Sequence, residues 1–275
     1  MPDDLKTLAK SQLFSLDGKL VEDELHTGAL APDFGHKPGE IIDSKYKILG
    51  LLGEGGMGAV YRAHHLSLNK EVALKTFRTP NLTKDSWQRF QREAQAIGRL
   101  NHPNIVQVFD FGVNKNNVPY YTMECLSGES LAERLSALGY LTVDEAVPIF
   151  LKVCQGLSAA HSKGIIHRDL KPANIFLASS PETGKGSEKS KDTETVKIVD
   201  FGIAGLAKQA QDGQKLTATG TVFGSPLYMS PEQSLGQEVS ETSDIYSCGC
   251  ALYESLTGKP PYRGENAFAT MMQHH

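Results

Sequence analysis

Residues 167–174 read His-Arg-Asp-Leu-Lys-Pro-Ala-Asn, and no other stretch of the chain indicates its fold so directly. The carboxylate of Asp169 and the amide of Asn174 lie on one short predicted loop, five positions apart. A carboxylate there can accept the proton of an attacking hydroxyl. An amide oxygen there can ligate a metal ion that holds phosphates. Further along, residues 200–202 read Asp-Phe-Gly and add a second carboxylate before a flexible turn.

A glycine-rich stretch lies upstream, where residues 53–60 read Gly-Glu-Gly-Gly-Met-Gly-Ala-Val. Gly53, Gly55 and Gly58 match the spacing G-x-G-x-x-G, and glycine lets backbone N–H groups approach phosphate oxygens where a Cβ would intrude. The spacing alone is a weak signal, because dinucleotide-binding folds use it as well. Here the glycines join two predicted strands instead of opening a helix, which argues against a dinucleotide site.

Residues 72–75, Val-Ala-Leu-Lys, form the next predicted strand and complete a recognisable series. The chain now shows the order of the protein kinase signature: a glycine loop, a strand lysine, a catalytic loop and an Asp-Phe-Gly motif. The chain therefore resembles the eukaryotic-like serine/threonine protein kinases, most closely their bacterial branch. The resemblance implies an α+β fold with two lobes: a small, mainly β N-lobe with one key helix and a larger, mainly α C-lobe.

The amino-acid composition limits the classes of function that the chain could have. The chain has 275 residues, 40% hydrophobic and 22% charged, which is ordinary for a globular protein with a real core. A formal net charge of −4 gives no overall field that would attract nucleic acid, so we expect no nucleic-acid partner. Four cysteines without metal-site spacing are predicted to be reduced, buried thiols of a cytoplasmic protein: Cys125, Cys154, Cys248 and Cys250.

Membrane signals are absent from the sequence, which has no apolar run of membrane-spanning length and no signal-peptide pattern at its start. Bacterial kinases of this family often carry a membrane segment after the kinase domain. The resemblance therefore leaves open that these residues are the cytoplasmic part of a membrane-anchored kinase.

The expected domain organisation has two parts. Residues 1–43 contain several helix breakers and are expected to form a flexible leader. Residues 44–275 are expected to form the kinase domain, with the N-lobe at about 44–126 and the C-lobe at about 127–275. Within the C-lobe, residues 179–195 lack large apolar side chains and are interpreted as a solvated loop, with phosphorylation or partner docking as the alternative.

A helix is predicted from residue 84 to residue 100, with Glu93 on the same face as Phe90 and Ile97. A carboxylate on an apolar face needs a partner, because a buried unpaired charge is costly. Lys75 is the expected partner. The alternative is that Glu93 lies at the edge of the face and is solvated.

The resemblance assigns the nucleotide contacts to the N-lobe. Lys75 would bind the α- and β-phosphates, small Ala73 would leave room for adenine, Met123 would be the gatekeeper, and residues 124–126 would form the hinge. The full set of expected ATP-binding residues is Leu52, Gly53, Gly55, Gly58, Val60, Ala73, Lys75, Met123, Glu124 and Leu126. Glu133 is either a ribose contact or a solvated helix residue.

The catalytic assignments also follow from the resemblance. Asp169 would act as the base for the substrate hydroxyl, and Lys171 would meet the charge that develops on the γ-phosphate. Lysine at this position is typical of serine/threonine kinases, so the expected substrates are ATP and proteins with Ser or Thr acceptors. Asn174 and Asp200 would hold two Mg²⁺ ions, hard cations that prefer oxygen ligands.

The activation segment is expected between Asp200 and the Ser-Pro-Glu of residues 230–232. Arg168 requires an anion, and a phosphate on one of three threonines would supply it: Thr217, Thr219 or Thr221. The resemblance thus implies autophosphorylation, with self-association as one route, while a plain threonine-rich loop is the alternative. Ser225 is expected to contact Asp169 and Lys171, and Asp244 is expected to begin a buried helix that braces the catalytic loop.

The resemblance covers about residues 46–275, and the large lobe of the family normally continues with further helices. One of these supplies an arginine that pairs with the residue equivalent to Glu232. We therefore expect an incomplete C-lobe in which Glu232 lacks its partner. The main functional hypothesis is an active serine/threonine protein kinase, and the alternative is an ATP-binding scaffold or weakly active fragment. A small-molecule kinase is disfavoured by the peptide-positioning segment at residues 224–232.

Overall fold

The computed structural model describes residues 35–55, 58–77, 84–179, 194–201 and 225–275. In the helix at 84–98 it leaves out several side chains, including that of Glu93. The expected leader, most of the loop at 179–195, Gly202 and the three activation-segment threonines lie outside the described residues. Two compact units divide the described chain: residues 35–77 with 110–125, and residues 84–109 with 126–275.

One sheet dominates the first unit. Its strands are β1 (Ile41–Ile42), β2 (Tyr46–Gly55), β3 (Gly58–His65), β4 (Lys70–Phe77), β5 (Val108–Val113) and β6 (Pro119–Glu124), in the order β1-β2-β3-β4-β6-β5. The β2–β3 hairpin closes at the pair Gly55 and Gly58, so the glycine-rich stretch is its tip. Its register shifts between Ile48 and Gly50 and again between Leu51 and Gly53, and such irregularities locally bend a strand.

Buried aromatic side chains anchor the core of this sheet. Tyr46 and Tyr120 are 0% and 1% exposed, and their rings meet edge to face at 5.9 Å. Each hydroxyl ends on a carboxylate: Tyr46 donates to Asp110 at 2.8 Å and Tyr120 donates to Asp43 at 2.5 Å. Burial raises the pKa of Tyr46 to about 12. Both phenols are thus neutral donors that tie strand ends to the core.

Helices dominate the second unit, as the sequence predicts. Within the described residues they are α1 (Lys84–Gly98), α2 (Leu131–Leu138), α3 (Val143–His161), α4 (Pro231–Ser234), α5 (Glu241–Thr257) and α6 (Ala267–Gln273). A small antiparallel sheet joins them, with strands β7 (Gly128–Ser130), β8 (Ile175–Ala178) and β9 (Thr195–Ile198). The sequence predicts α1 as the key helix of the N-lobe, and in the structure this helix groups with the second compact unit.

Two local expectations differ from the structure. The strand predicted from Ile105 begins only at Val108, because Ile105 instead makes an isolated bridge with Ile198 of β9. All four cysteines are free, but Cys154 is exposed on α3 rather than buried. Among the described helices, none is long and apolar enough to cross a bilayer.

Candidate active site

The catalytic loop brings three predicted residues together. The loop follows α3 and ends in a 3₁₀ turn at Pro172–Asn174 that leads into β8. Lys171 Nζ donates to Asp169 Oδ2 at 2.7 Å, and Asn174 Nδ2 donates to the Asp169 carbonyl at 2.7 Å. Asn174 Nδ2 also lies 3.3 Å from Asp169 Oδ2. The carboxylate of Asp169 is therefore oriented by a cation and an amide from its own loop.

A buried carboxylate holds this loop from below. Asp244, at the start of α5, is 1% exposed, and its Oδ2 and Oδ1 accept the backbone N–H groups of His167 and Arg168, each at 2.8 Å. His161 Nε2 lies 2.8 Å from Asp244 Oδ2 and adds a third contact. These bonds hold Arg168 at φ +68°, a left-handed conformation that costs a non-glycine residue energy unless its surroundings impose it. The predicted bracing role of Asp244 agrees with this geometry.

His167 links the loop to the strand that precedes Asp200. Its ring is fully buried, Nε2 lies 2.9 Å from the carbonyl of Val199, and the ring packs on Phe201 at 4.7 Å between centroids. The neighbouring Val199 N–H donates to the carbonyl of Asn174 at 2.9 Å. The two predicted metal ligands, Asn174 and Asp200, therefore lie on adjacent, hydrogen-bonded segments.

These two residues fit a hard cation by their chemistry. Asn174 Nδ2 is engaged with Asp169, so the amide presents its oxygen for coordination. Asp200 has φ +62°, so it is, like Arg168, a non-glycine residue in a strained left-handed conformation. This conformation sets the direction of the Asp200 carboxylate. In the described part of the chain, no group of three or more His, Cys, Asp or Glu side chains could hold a metal by itself. The metal assignment therefore depends on Asn174 and Asp200.

The end of the activation segment lies against the catalytic loop. Ser225 lines a small cavity of about 30 Å³ together with Arg168 and Asp169, and its contact with Asp169 and Lys171 stays a prediction. Tyr228 donates to Glu254 of α5 at 2.5 Å. The pKa of Tyr228 is raised, mainly by burial and to a smaller extent by the nearby Glu254 charge. Burial likewise raises the pKa of Glu254, despite that hydrogen bond.

Glu232 has a partner, contrary to the expectation from the sequence. Its carboxylate accepts a hydrogen bond from Ser243 Oγ of α5. Burial alone would raise the pKa of Glu232, but this bond and others lower it overall. The physical reason is the packing of two helices, because the first turns of α4 and α5 place a hydroxyl within reach of the carboxylate.

The glycine loop contains two kinds of glycine. Gly58 has φ +150°, and a Cβ on it would lie 1.8 Å from the carbonyl oxygen of Thr76 on β4. Gly58 is therefore required by the packing of its own sheet. Cβ atoms on Gly53 and Gly55 would meet nothing within 4 Å, so their outer faces are open to a ligand. For Gly53, Gly55 and Gly58 the approach of phosphate stays a prediction, and for Gly58 the packing against Thr76 is an additional reason for glycine.

The strand lysine and its neighbours lie on β4 and β6. Lys75 is 8% exposed and pairs in register with Val60 on one side and Tyr121 on the other. Ala73 pairs with Met123, and both are buried. Leu52 is 52% exposed on β2 and is available for an apolar contact. The predicted pairing of Lys75 with Glu93 involves a side chain outside the described residues.

Glu133 has a structural role at the start of α2. Its Oε2 accepts from the backbone N–H and the hydroxyl of Ser130 at 2.7 and 2.8 Å, while Ser130 Oγ accepts the Glu133 N–H. This reciprocal arrangement is a capping box. The capping interaction gives this glutamate a local role that the pattern Ser-x-x-Glu made readable in the sequence, and a ribose contact stays a prediction.

Sequence reasoning also missed Gln233 in α4. Its Nε2 donates to the carbonyl of Arg168 at 2.7 Å across 65 positions. The sequence does contain another capping pattern, Ser230-x-x-Gln233, which predicts that the Gln233 side chain folds back to the start of the helix. Nothing in that local pattern indicates the second contact with the catalytic loop.

The comparisons with known proteins agree with this architecture. The family model described as "Protein kinase domain" matches residues 46–275. The chain is 41% identical to the serine/threonine-protein kinase pkn3 of Myxococcus xanthus over 88% of this chain and 43% of that protein. It is 42% identical to the probable serine/threonine-protein kinase PknB of Corynebacterium glutamicum over 85% of this chain and 34% of that protein. The chain thus spans less than half the length of these relatives.

Solved structures give the same result. The crystal structure of the Mycobacterium tuberculosis PknI kinase domain has a TM-score of 0.65 and 26% sequence identity, covering 84% of this chain and 81% of that one. The fold class and the family inferred from the motifs are both confirmed. Since the family model covers the glycine loop, the catalytic loop and the helices that brace it, the chain belongs to the protein kinase domain family.

Proposed function

We propose that this chain is a serine/threonine protein kinase that transfers the γ-phosphate of ATP to hydroxyl groups of proteins. One observation carries the proposal: the Asp169 carboxylate is oriented by Lys171 and Asn174 on a loop held by buried Asp244. Family membership supports the use of ATP and Mg²⁺ in general.

In this proposal Asp169 receives the proton of the acceptor hydroxyl and positions its oxygen for attack. Lys171 already lies against Asp169 and would offset negative charge at the phosphoryl group. Asn174 and Asp200 would hold Mg²⁺ through oxygen atoms. Magnesium-bound ATP supplies the electrophilic phosphorus and a leaving group whose charge is neutralised.

The first unit would supply most of the nucleotide contacts. Gly53 and Gly55 leave room for phosphate oxygens at the hairpin tip, and buried Lys75 offers a charge to them, with Glu93 as its proposed partner. The remaining proposed adenine contacts are Leu52, Val60, Ala73, Met123, Glu124 and Leu126. Gly58 belongs to the same proposed phosphate loop, and its close approach to the Thr76 carbonyl also shapes that loop.

Specificity for serine and threonine is supported by Lys171 and by the names of the relatives, which are serine/threonine-protein kinases. Autophosphorylation on Thr217, Thr219 or Thr221, with self-association as one route, remains part of the proposal, and Arg168 would receive the phosphate. The free thiols support a reducing, cytoplasmic compartment.

The test is phosphate transfer from γ-labelled ATP with Mg²⁺ to peptides that carry Ser, Thr or Tyr as the only acceptor. We expect labelling of the Ser and Thr peptides, and Asp169→Asn should lower the rate by about 10²–10⁴-fold. Asp144→Asn, the same change at an exposed residue of α3, is the matched control. Nucleotide binding without transfer would favour an ATP-binding scaffold, and near-normal labelling by Asp169→Asn would reject the assigned base.

A further inference from the structure

We infer that Gln233 is a positioning residue for phosphoryl transfer, because its side-chain amide ties the end of the activation segment to the peptide that enters Asp169. The inference rests on the proposed function and extends it to a residue outside the kinase signature motifs. It follows from five hydrogen bonds and one strained backbone angle.

The strained residue is Arg168, with φ +68°. Such a conformation persists only where surrounding groups over-determine it. On its N-terminal side, the Arg168 N–H donates to Asp244 Oδ1 at 2.8 Å. On its C-terminal side, the Arg168 carbonyl accepts from Gln233 Nε2 at 2.7 Å. Asp244 and Gln233 thus hold the two peptide groups that flank the strained residue.

The carbonyl held by Gln233 belongs to the same peptide unit as the N–H of Asp169. That N–H donates weakly to His167 Nδ1 at 3.3 Å, so the 2.7 Å bond from Gln233 is the shorter of the two contacts that orient this peptide. Rotation of the peptide would displace the Asp169 carboxylate from Lys171. A misplacement of about 1 Å at a reacting group can cost about 10²-fold in rate.

The other end of the Gln233 amide is fixed as well. Oε1 accepts from the backbone N–H of Ser230 at 3.1 Å and from its hydroxyl at 3.2 Å, and Ser230 is fully buried. A backbone N–H only donates and a carbonyl only accepts, so the partners establish which end of the amide is oxygen. A capping box accepts Glu or Gln at this position, but only Gln can also donate to Arg168.

The difference between Glu and Gln at position 233 can be tested by steady-state kinetics, in which variants of the whole chain are compared with the wild type. Gln233→Glu keeps the shape and the cap but sets a carboxylate oxygen against the Arg168 carbonyl. We expect kcat to fall about 10–100-fold while KM for ATP stays within about twofold. Protonation restores a donor, so the ratio of variant to wild-type kcat should rise as the pH is lowered from about 8 to about 6. Gln237→Glu, the same change at an exposed residue, should behave as wild type.

A second variant and a second readout keep the test decisive. Gln233→Met should lower kcat without recovery at acid pH. Amide hydrogen exchange of residues 166–170 should be faster in both variants, with exchange in α5 unchanged. Wild-type kcat and exchange in Gln233→Glu would overturn the inference, and if that variant does not fold, Gln233→Met decides by the same readouts. If the wild-type chain transfers no phosphate, the proposed function fails, whereas equal exchange in wild type and variants would reject the bridge itself.

Discussion

The carboxylate of Asp244 accepts the backbone N–H of Arg168 at 2.8 Å, although the two residues are 76 positions apart. A side chain at the start of one helix therefore sets the backbone conformation next to the proposed catalytic base. The same carboxylate accepts the N–H of His167 and contacts His161, so this buried group has three partners. A buried charge is tolerated only with such partners.

Asp244→Asn should destabilise the second unit. An amide at this position presents one oxygen and one NH₂ group, so one of the two backbone N–H groups would face a donor. We expect the free energy of unfolding to fall by about 1–3 kcal/mol, with a parallel loss of kcat as Arg168 relaxes. Urea unfolding measures the first effect. Glu241→Gln, an exposed change in the same helix, is the control, and equal midpoints for both variants would contradict the prediction.

Lys171→Ala should impair catalysis more than nucleotide binding. The ammonium lies 2.7 Å from Asp169 Oδ2, where it can stabilise charge that appears only during transfer. Removing one such group typically costs about 10²–10³-fold in kcat. Steady-state kinetics with varied ATP would separate kcat from KM. Lys163→Ala, an exposed lysine that donates to the Arg99 carbonyl, should leave both constants near wild type; a loss of the same size there would show a general charge effect.

The two kinds of glycine in the β2–β3 hairpin predict different effects of alanine substitution on thermal stability. Gly58→Ala would force a Cβ into the Thr76 carbonyl at a backbone angle of φ +150°. We expect a loss of roughly 3 kcal/mol, seen as a Tm lower by roughly 6–12 °C. Gly55→Ala meets open space and should leave Tm nearly unchanged. Calorimetry on both variants checks this, and equal Tm values would remove the distinction.

His274 should make stability depend on pH. Burial lowers its pKa, outweighing an opposing contact with the Pro226 carbonyl, and the Tyr246 hydroxyl lies 2.7 Å from Nδ1. At pH above the ordinary value of about 6.5, both folded and unfolded states are neutral. As the pH falls through that value the unfolded state binds the proton first, so the free energy of unfolding decreases.

The contribution of His274 to the pH dependence of stability can be measured with a substitution. His274→Gln retains an acceptor for Tyr246 but does not titrate. Between about pH 7.5 and pH 5, its stability should decline less steeply than that of the wild type. His64→Gln, a partly exposed residue of β3, serves as the comparison. Parallel curves for His274→Gln and the wild type would show that His274 does not contribute.

Local sequence determined the elements and the identities of the proposed reacting groups. Asp169, Lys171 and Asn174 meet because a short loop and a 3₁₀ turn bring them together, and short-range geometry is encoded by neighbouring residues. The hairpin at Gly55 and Gly58 and the helix at Val143–His161 likewise follow from turn residues and apolar periodicity. The capping role of Glu133 was equally local, and the Ser-x-x-Glu pattern could have revealed it.

Only the tertiary structure decided how those groups are held. The bonds from Arg168 to Asp244 and Gln233 cross 76 and 65 positions, and no periodicity or spacing specifies such pairs. The reason for Gly58 is likewise a carbonyl on the neighbouring strand, and the partner of Glu232 is a hydroxyl on the next helix. Contacts of this kind depend on how packed elements meet, because burial makes each polar group take whichever partner the fold brings within reach.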